Sequence, residues 1–439
     1  MKLTYSTSFA RLALFVLVSV ILLVAAGRYV ASTNNPVACA GWPLCIPKGV
    51  TGLVEIFHQF SAVFTSILML VLLFEAWRIH RDHHIILPLT TVTVTLFFAQ
   101  AYTGALLTLR GFPQPLHILH IITATTLWIS LAGLVVAAGL FSRTPGAEFP
   151  PFHLGQRLKD FFILVKPIIV ALLLVTTYAG LVMGGRQFPS AALTFWTLLG
   201  GALAAGGASA LNQYIDRNLD QFMQRTASRP LAAGRLTPAE GLSFGLAACI
   251  TGVYIHAGFV NFLAATLSLA GIFYYVILYS VYLKKATVQN IVIGGGAGAI
   301  PPMVGWAAAT GSLNAAAWML FAIVFFWTPP HFWALAIVRA KDYARAGVPM
   351  LPVVRGEKET RWQIFIYTIG LVALTLVMPL FSMTGTFYFV SAVLLGLGLI
   401  YAAWRVYRVE GNKVAWQMYR YSSMYLAFIF LALMIDAVL

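Results

Sequence analysis

The amino-acid sequence predicts an all-α, polytopic membrane protein with about thirteen transmembrane helices. Of its 439 residues, 60% are hydrophobic and only 9% are charged. A soluble domain of this size has too little interior to bury that much apolar surface, whereas a helix of about 20 apolar residues crosses a bilayer. An acidic motif at the end of one apolar stretch and paired histidines in two others indicate two functional modules.

Thirteen apolar stretches have the length of a transmembrane helix. The predicted spans lie near residues 11–30, 53–76, 85–108, 116–140, 164–184, 191–213, 239–258, 262–282, 288–308, 313–335, 362–383, 386–405 and 418–438. The first span is full-length and leads into a matching partner, which favours a retained helix over a cleaved signal peptide.

The formal charge of +15 follows the predicted topology. With a cytoplasmic N terminus, the alternating loops put 24 of the 28 lysines and arginines on the cytoplasmic side. The exceptions are Arg28, Lys48, Arg110 and Arg186. This is the positive-inside pattern of multi-pass proteins, so the basic balance requires no nucleic acid partner. We expect the protein to lie in a prokaryotic cell membrane.

A polar, proline-rich segment between residues 141 and 163 is the longest break between groups of spans. We therefore predict a four-helix domain over residues 1–145 and a nine-helix domain over residues 155–439. Six of the nine histidines precede residue 121, whereas the acidic residues concentrate in the second domain. The two domains are thus expected to carry different chemistry.

An amide and two carboxylates follow one another at four-residue spacing where the sixth span ends. They are Asn212, Asp216 and Asp220. On an α-helix each is turned about 40° from the last and raised about 6 Å, so the three line one face. Such oxygen ligands suit Mg²⁺, which takes one or two carboxylates together with substrate phosphates. Two acids at a membrane boundary are costly without a partner, which favours a metal site over a solvated helix end.

Basic side chains near this motif fit a diphosphate. Arg225 and Arg229 follow it directly, and a second long cytoplasmic loop carries Asp342 and Arg345. A pocket where the two loops meet would hold carboxylates for metal and guanidinium groups for phosphate. Lys284 ends another inward helix, where a topology anchor and a phosphate ligand remain equally open.

Three separated motifs resemble the protoheme IX farnesyltransferase (heme O synthase) family of intramembrane aromatic prenyltransferases. The motifs are the acidic motif with its continuation Met223-Gln-Arg-Thr-Ala-Ser-Arg-Pro-Leu, then Trp327-Thr-Pro-Pro-His-Phe-Trp, and Tyr343-Ala-Arg-Ala-Gly-Val-Pro-Met-Leu-Pro. The resemblance covers nearly all of residues 160–439. One departure is that the superfamily's second metal motif has two aspartates four residues apart, whereas Asp342 here has Ala346 at that distance.

The resemblance implies transfer of a farnesyl group from farnesyl diphosphate to a vinyl group of protoheme IX (heme B), giving heme O for heme A synthesis. It implies a cytoplasmic site in which Mg²⁺ binds the acidic motif and arginines bind the diphosphate. The implied catalytic residues are Asn212, Asp216, Asp220, Arg225, Arg229, Asp342 and Arg345. The implied metal ligands among them are Asn212, Asp216, Asp220 and Asp342. The residues implied to bind substrate are Lys284, His331 and Tyr343. For His331 two interpretations stay open, a hydrogen-bonded packing residue or a contact with the heme substrate.

Histidines in two antiparallel spans of the first domain predict a heme site. His58 lies near the outer end of the second span, and His117 and His120 lie near the outer end of the fourth. Imidazoles at similar depth on facing helices are what bis-histidine ligation of heme requires, and the deeper His120 is the favoured partner of His58. Glu55 is the only carboxylate of this domain in the outer half of the membrane, where a buried acid is a functional candidate.

This domain resembles one half of the heme A synthase family, which oxidises heme O toward heme A. The resemblance rests on Gly41-Trp-Pro-Leu-Cys45, the element from Glu55 to His58 and the segment from His117, with Gln59 where the family has Arg. The family has two such four-helix halves, whereas this sequence contains one, and a second copy or a separate heme A synthase could supply the other. A bifunctional enzyme and a degenerate module that only binds or delivers heme, with heme b as cofactor, are equally open. Cys39 and Cys45 share an outer loop, where a disulfide and a free pair are both open.

An electron-transfer cytochrome would account for the upstream histidines and would leave the downstream motifs unexplained. A transporter would show matching broken helices in two inverted halves, a symmetry that the sequence lacks. Two other features inside spans are expected to serve packing: Cys249, and the run from Gly294 to Gly298, which favours close helix contact or space for substrate over a phosphate loop.

Overall fold

The computed structural model describes residues 7–32, 49–109, 113–142, 154–381 and 383–439. Within these ranges the chain is helical and contains no strand. Thirteen segments of the described residues are long and apolar enough to cross a membrane, and each overlaps one predicted span. The prediction of an all-α, multi-pass membrane protein is confirmed.

The first of two compact units comprises residues 1–154 together with 237–250. Its long helices are α1 (Ser8–Ser32), α2 (Gly49–His80), α3 (Ile86–Leu109) and α4 (Gln114–Phe141). Each packs on the next, and α4 returns to α1, so the four close into a bundle. Fully buried Phe9, Leu72 and Leu131 contribute to its core.

The second unit comprises residues 155–236 and 251–439. The remaining helices are α5 (Leu154–Leu164), α6 (Pro167–Gly185), α7 (Ala191–Asp220), α8 (Pro238–Ile255), α9 (Phe262–Phe273), α10 (Lys284–Ala286), α11 (Asn290–Gly294), α12 (Gly296–Thr310), α13 (Ala315–Val338), α14 (Ala340–Arg345), α15 (Leu351–Val354), α16 (Gly356–Val377), α17 (Thr386–Arg408) and α18 (Asn412–Val438). The first part of α8 belongs to the first unit. Two π-helical segments, His256–Val260 and Tyr274–Leu283, extend α8 and α9.

Glycines bring α6 and α12 into backbone contact. A Cβ atom on Gly180 would overlap the carbonyl oxygen of Pro302, and one on Gly305 would overlap that of Thr177. Helices that pack without a hydrophobic driving force in lipid gain dispersion contacts when small residues let their backbones approach. This crossing therefore needs glycine on both helices.

The glycine run ahead of α12 packs against side chains, as the sequence predicts. Gly294 lies against the ring of Tyr279, Gly295 against Thr328 and Gly296 against Tyr274. The run therefore seats the π-helical segment Tyr274–Leu283 close to α11 and α12. Cys249 is likewise buried within its span.

Helix α5 was not predicted from the sequence, and it ends in a sharp bend before α6. Lys166 adopts a left-handed conformation with φ of 52°, which costs a non-glycine residue about 1 kcal/mol. The last carbonyl groups of α5 are satisfied from α7, because Ser209 Oγ and Gln213 Nε2 donate to Leu164 O at 2.9 and 2.8 Å. These bonds fix the bend against α7.

Candidate active site

Asn212, Asp216 and Asp220 lie on the last turns of α7 and are 4, 0 and 2% exposed. Their helical spacing is the one that the sequence predicts. Burying two carboxylates is costly unless each is paired, so their partners decide what this face of α7 can do.

Each carboxylate has a cationic partner on another segment. Lys284 Nζ lies 2.5 Å from Asp216 Oδ2, and Arg229 Nη1 lies 2.7 Å from Asp220 Oδ2. Asn212 Nδ2 also donates to Asp216 Oδ2 at 2.8 Å. Lys284 thus contacts the acidic motif, and both interpretations, a topology anchor and a phosphate ligand, stay predictions.

One oxygen of the acidic face is left over. Asp216 Oδ1 is buried and accepts no hydrogen bond from any described residue. The described chain has no group of three or more His, Cys, Asp or Glu side chains able to hold a metal by themselves. Two carboxylates with an unused oxygen fit Mg²⁺, which binds through few protein ligands and completes its shell with phosphate oxygens and water.

Lys166 is a site residue that sequence reasoning missed. Its Nζ donates to Asn212 Oδ1 at 2.8 Å and to the hydroxyl of Tyr275 at 3.3 Å. Burial lowers the pKa of Lys166 to about 7, and the charges of Arg229 and Lys284 act in the same direction. Because the Asn212 amide oxygen accepts from Lys166, coordination of a metal by Asn212 requires this lysine to turn away. The available sequence signal was a lysine immediately before the proline that begins a span.

The π-helical segment Tyr274–Leu283 orients the Asn212 amide. Ser280 Oγ donates to Tyr275 O at 2.8 Å and accepts from Asn212 Nδ2 at 3.0 Å. The rings of Tyr275 and Tyr279 stack with centroids 5.8 Å apart and form an aromatic wall beside the acidic face. Lys166 Nζ lies 5.9 Å above the Tyr275 ring centroid.

The segment of residues 221–236, here called the arginine loop, interacts electrostatically with Tyr343 of the second long loop, residues 339–361. Burial raises the pKa of Tyr343, while the nearby positive charges of Arg225 and Arg339 oppose this shift. Tyr343 also interacts electrostatically with Arg229. Tyr343 therefore lies within electrostatic range of the arginine loop, and a diphosphate pocket shared by the two loops stays a prediction. Arg225 itself is exposed.

The second loop is more ordered than expected, because it contains the short helices α14 and α15. Helices of six and four residues are too short to show a hydrophobic period in the sequence. Asp342 is buried on α14, and its Oδ2 lies 3.9 Å from Arg339 Nη1. Arg345 is exposed and forms no ion pair with a described residue. The structure thus brings Tyr343 toward the arginines and leaves Arg345 at the surface.

His331 is enclosed by aromatic rings in the second unit. Its ring stacks on Trp327 at 4.1 Å and on Tyr419 at 4.5 Å between centroids. Its Nδ1 lies 2.8 Å from Ser422 Oγ. These are the contacts of the packing interpretation, and a role in binding the heme substrate stays a prediction.

In the first unit, His58 and His120 both carry the ring proton on Nδ1, which leaves Nε2 as the nitrogen with a lone pair for iron. His58 Nδ1 donates to Leu23 O at 2.9 Å, so its Nε2 carries the lone pair. Gln100 Nε2 is only a donor and lies 2.8 Å from His120 Nε2, so His120 also has its proton on Nδ1, 2.9 Å from Thr103 Oγ1. An Nδ1–H that donates to an oxygen is the arrangement that orients a metal-ligating histidine.

Glycines lie against both imidazoles. Gly27 on α1 contacts the His58 ring, and Gly104 on α3 contacts the His120 ring. The missing Cβ atoms leave room for the imidazole rings themselves, so each ring packs against the backbone of a neighbouring helix. A heme fits this donor set, provided that Gln100 moves off His120.

The other predicted residues of this unit have unequal positions. Glu55 is half-buried, whereas His117 is exposed. Cys39, Cys45 and the motif beginning at Gly41 lie outside the described residues.

The sequence signature of the UbiA prenyltransferase family matches residues 173–430. Protoheme IX farnesyltransferase of Roseiflexus sp. (strain RS-1) is 40% identical over 423 residues, which cover 91% of this chain and 78% of that protein. Its counterpart in Symbiobacterium thermophilum is 46% identical over 286 residues, 64% of this chain and 95% of that protein. A solved digeranylgeranylglyceryl phosphate synthase superimposes with a TM-score of 0.56 at 16% identity, covering 64% of this chain and 99% of that one, which supports the fold. The chain therefore belongs to the UbiA prenyltransferase family.

Proposed function

We propose that this membrane protein transfers a farnesyl group from farnesyl diphosphate to a vinyl group of heme B, forming heme O. The observation that carries the proposal is the buried face of α7, where two carboxylates, one with an unused oxygen, are surrounded by cations. The same site accompanies 40% identity to a protoheme IX farnesyltransferase over 91% of the chain.

Asp216 and Asp220 would hold Mg²⁺, with Asn212 as an amide ligand once Lys166 turns away and Asp342 as an additional ligand or orienting acid from α14. When bound, Mg²⁺ would neutralise the diphosphate and make it a better leaving group. Asp216 Oδ1 supplies the oxygen that no protein donor occupies.

The cations now paired with the carboxylates would turn to the diphosphate oxygens as substrate binds. Lys284 and Arg229 are held within 2.7 Å of Asp216 and Asp220, and Lys166 is held by Asn212. Arg225 and Arg345 would reach the diphosphate from the surrounding loops. An excess of preorganised positive charge stabilises the leaving group as its charge develops.

In the reaction, the allylic carbon–oxygen bond of farnesyl diphosphate breaks and diphosphate departs with the electron pair. The heme vinyl group attacks the allylic cation, water adds to the resulting carbon cation, and a proton is lost, giving the hydroxyethylfarnesyl substituent. The stacked rings of Tyr275 and Tyr279 shield this region, and Tyr343 and His331 would contact the bound substrates. The site would face the cytoplasm, in accordance with the positive-inside pattern.

The test is expression in a bacterial host that lacks its own heme O and heme A enzymes. We expect mass spectrometry of extracted hemes to show heme O only when the protein is present and the host makes farnesyl diphosphate. If only heme B is found with folded protein in the membrane, the assignment is wrong.

We also propose that the first unit binds a heme through His58 and His120. The shared tautomer of these two imidazoles, which leaves a lone pair on Nε2 of each, favours it. This heme would be either a heme b cofactor or the heme O substrate of an oxidation toward heme A. In the second case, another copy of the chain or a separate heme A synthase would supply the missing four-helix half.

A further inference from the structure

We propose that Asp160 and Arg235 form a positioning pair that holds the arginine loop and Lys166 in place for diphosphate binding. Asp160 Oδ1 accepts from Arg235 Nε at 2.9 Å. This inference rests on the proposed diphosphate site. It gives a role to two residues that do not touch the substrate.

Asp160 is a buried acid on a helix that is otherwise largely exposed. Its side chain is 1% exposed, whereas Leu154, Leu158 and Phe162 form an exposed apolar stripe on α5. A helix with this pattern lies in the membrane interface, where a buried carboxylate needs a specific partner. Gln156 Nε2 donates to Asp160 Oδ2 at 3.2 Å, so both carboxylate oxygens are engaged.

Arg235 uses its planar fork to connect α5 with the arginine loop. While Nε donates to Asp160, Nη2 donates to the carbonyl oxygen of Ser228 at 3.1 Å. Ser228 immediately precedes Arg229, the residue that is paired with Asp220. Because a guanidinium group fixes two donors in one plane, this contact sets where the Arg229 backbone lies relative to α5.

The loop between these two arginines is a tight turn closed at both ends by a buried carboxylate. Ala233 N donates to Arg229 O at 2.8 Å and Arg235 N donates to Pro230 O at 2.9 Å. Arg229 pairs with Asp220, and Arg235 pairs with Asp160. Arg157 Nη1 also donates to Arg235 O, and Gln221 Nε2 donates to Ala232 O, both at 3.1 Å. Loss of the second closure would therefore loosen the turn and shift Arg229 relative to the acidic face.

The same pair also acts on Lys166. Asp160 lies six residues before Lys166 on the helix whose end is fixed to α7 through Leu164 O. Tethering α5 to the arginine loop therefore fixes the position of the strained bend, from which the lysine reaches Asn212. When the pair is broken, we expect Arg229 and Lys166 to be displaced together from their positions for diphosphate binding.

The test compares purified Asp160→Asn protein with Lys159→Gln, a control on the same helix whose side chain is exposed. For Asp160→Asn we expect KM for farnesyl diphosphate and the inhibition constant of inorganic diphosphate to rise together by about tenfold, as for other residues that orient a ligand. We expect kcat at saturation to stay within about threefold of the parent and KM for heme B to be unchanged. Lys159→Gln should match the parent.

Two further variants separate positioning from folding. Arg235→Lys keeps a cation for Asp160 but loses the second donor to Ser228, so its KM for farnesyl diphosphate should lie between those of the parent and Asp160→Asn. Arg235→Gln leaves a buried carboxylate unpaired and is therefore made together with Asp160→Asn. The double variant should be no worse than Asp160→Asn alone, because the two residues act as a unit.

If Asp160→Asn protein has a lower thermal stability and a lower kcat but an unchanged KM for farnesyl diphosphate, the ion pair is purely structural. This result would overturn the inference. Equal KM values in parent and Asp160→Asn proteins would do the same. Direct binding of Mg²⁺ and farnesyl diphosphate separates this inference from the proposed function. If the parent protein binds both ligands and Asp160→Asn weakens this binding, the positioning pair is supported even when no heme O is made. In that case only the assigned reaction is wrong. If the parent protein binds neither Mg²⁺ nor farnesyl diphosphate, the proposed function and the positioning pair are both wrong.

Discussion

At the residue scale, Asp216 is the centre of the site. Its Oδ2 accepts from Asn212 and Lys284, while its Oδ1 has no donor among the described residues. A fully buried carboxylate in this state has one oxygen committed to the protein and one available to a ligand. Substitutions around it therefore separate metal binding from diphosphate binding.

We expect Asp216→Ala or Asp220→Ala to lower heme O formation by about two to three orders of magnitude, because departure of diphosphate loses its electrostatic assistance. Each change removes a buried carboxylate and leaves a partly exposed cation, Lys284 or Arg229, that water can solvate, so the amount of folded protein in the membrane should fall only modestly. Extracted heme O is the measurement. Asn212→Ala should have a smaller effect, because water can replace an amide ligand, and Glu357→Gln on an exposed turn is the control. Parental heme O in either aspartate variant would contradict the metal assignment.

Two adjacent lysines provide a matched comparison. Lys284 pairs with Asp216, whereas Lys285 is exposed. We expect Lys284→Met to raise KM for farnesyl diphosphate by about tenfold, the value of one charged hydrogen bond, while Lys285→Met leaves it unchanged. Initial rates at varied farnesyl diphosphate measure this. If KM for farnesyl diphosphate is unchanged in both variants, the two lysines serve only as topology anchors.

At the element scale, helix pairs depend on what lies at their contact. In the second unit, α6 and α12 meet at glycines, and in the first unit the helices carrying His58 and His120 each face a glycine on a neighbouring helix. In both cases the absence of a side chain on glycine makes room for a close contact. In the second unit the contact is a helix backbone, and in the first unit it is an imidazole ring.

We expect Gly305→Val to destabilise the second unit by about 1–3 kcal/mol, because the added side chain overlaps the backbone of α6. The control is Gly298→Ala, where a Cβ atom meets nothing within 4 Å. Thermal unfolding in detergent measures the difference. If both variants unfold at the same temperature as the parent, the close crossing is not needed for stability.

The histidines of the first unit offer another internal control. His58→Ala and His120→Ala should each abolish the low-spin heme absorbance of purified protein, and His117→Ala, on the exposed side, should retain it. None should stop heme O formation. If the protein makes heme A, Glu55→Gln should block it while heme O accumulates. Retained heme absorbance in His120→Ala protein would reject this ligand pair.

At the scale of the whole molecule, the second unit contains every residue of the proposed diphosphate site. We expect a chain that begins near residue 155 to make heme O, because it keeps α5 and all later helices. Its melting temperature should be lower than that of the full chain, since residues 237–250 lose the helices of the first unit against which they pack. Heme O yield and thermal unfolding of the two chains are the measurements. A stable truncated protein without activity would show that the first unit is needed for the reaction.

Much of the architecture follows from patterns that are local in the chain. Hydropathy over about 20 residues predicts each span, and four-residue spacing places Asn212, Asp216 and Asp220 on one face, because both depend only on helix geometry. The helices α5, α14 and α15 were not predicted. α5 lies in a proline-rich stretch that resembles a linker, and the other two are shorter than the period that reveals a helix.

The sequence by itself thus determined a membrane prenyltransferase fold with an acidic motif on one helix face and a histidine-bearing four-helix module. Only the tertiary structure decided which cations meet that motif. Lys166 is 46 residues from Asn212, and Lys284 is 68 from Asp216. The pair outside the motif, Arg235 and Asp160, is separated by 75 residues. Such pairs arise from helix packing and from a strained bend, and single-sequence patterns carry no information on which distant side chains share a low-dielectric pocket.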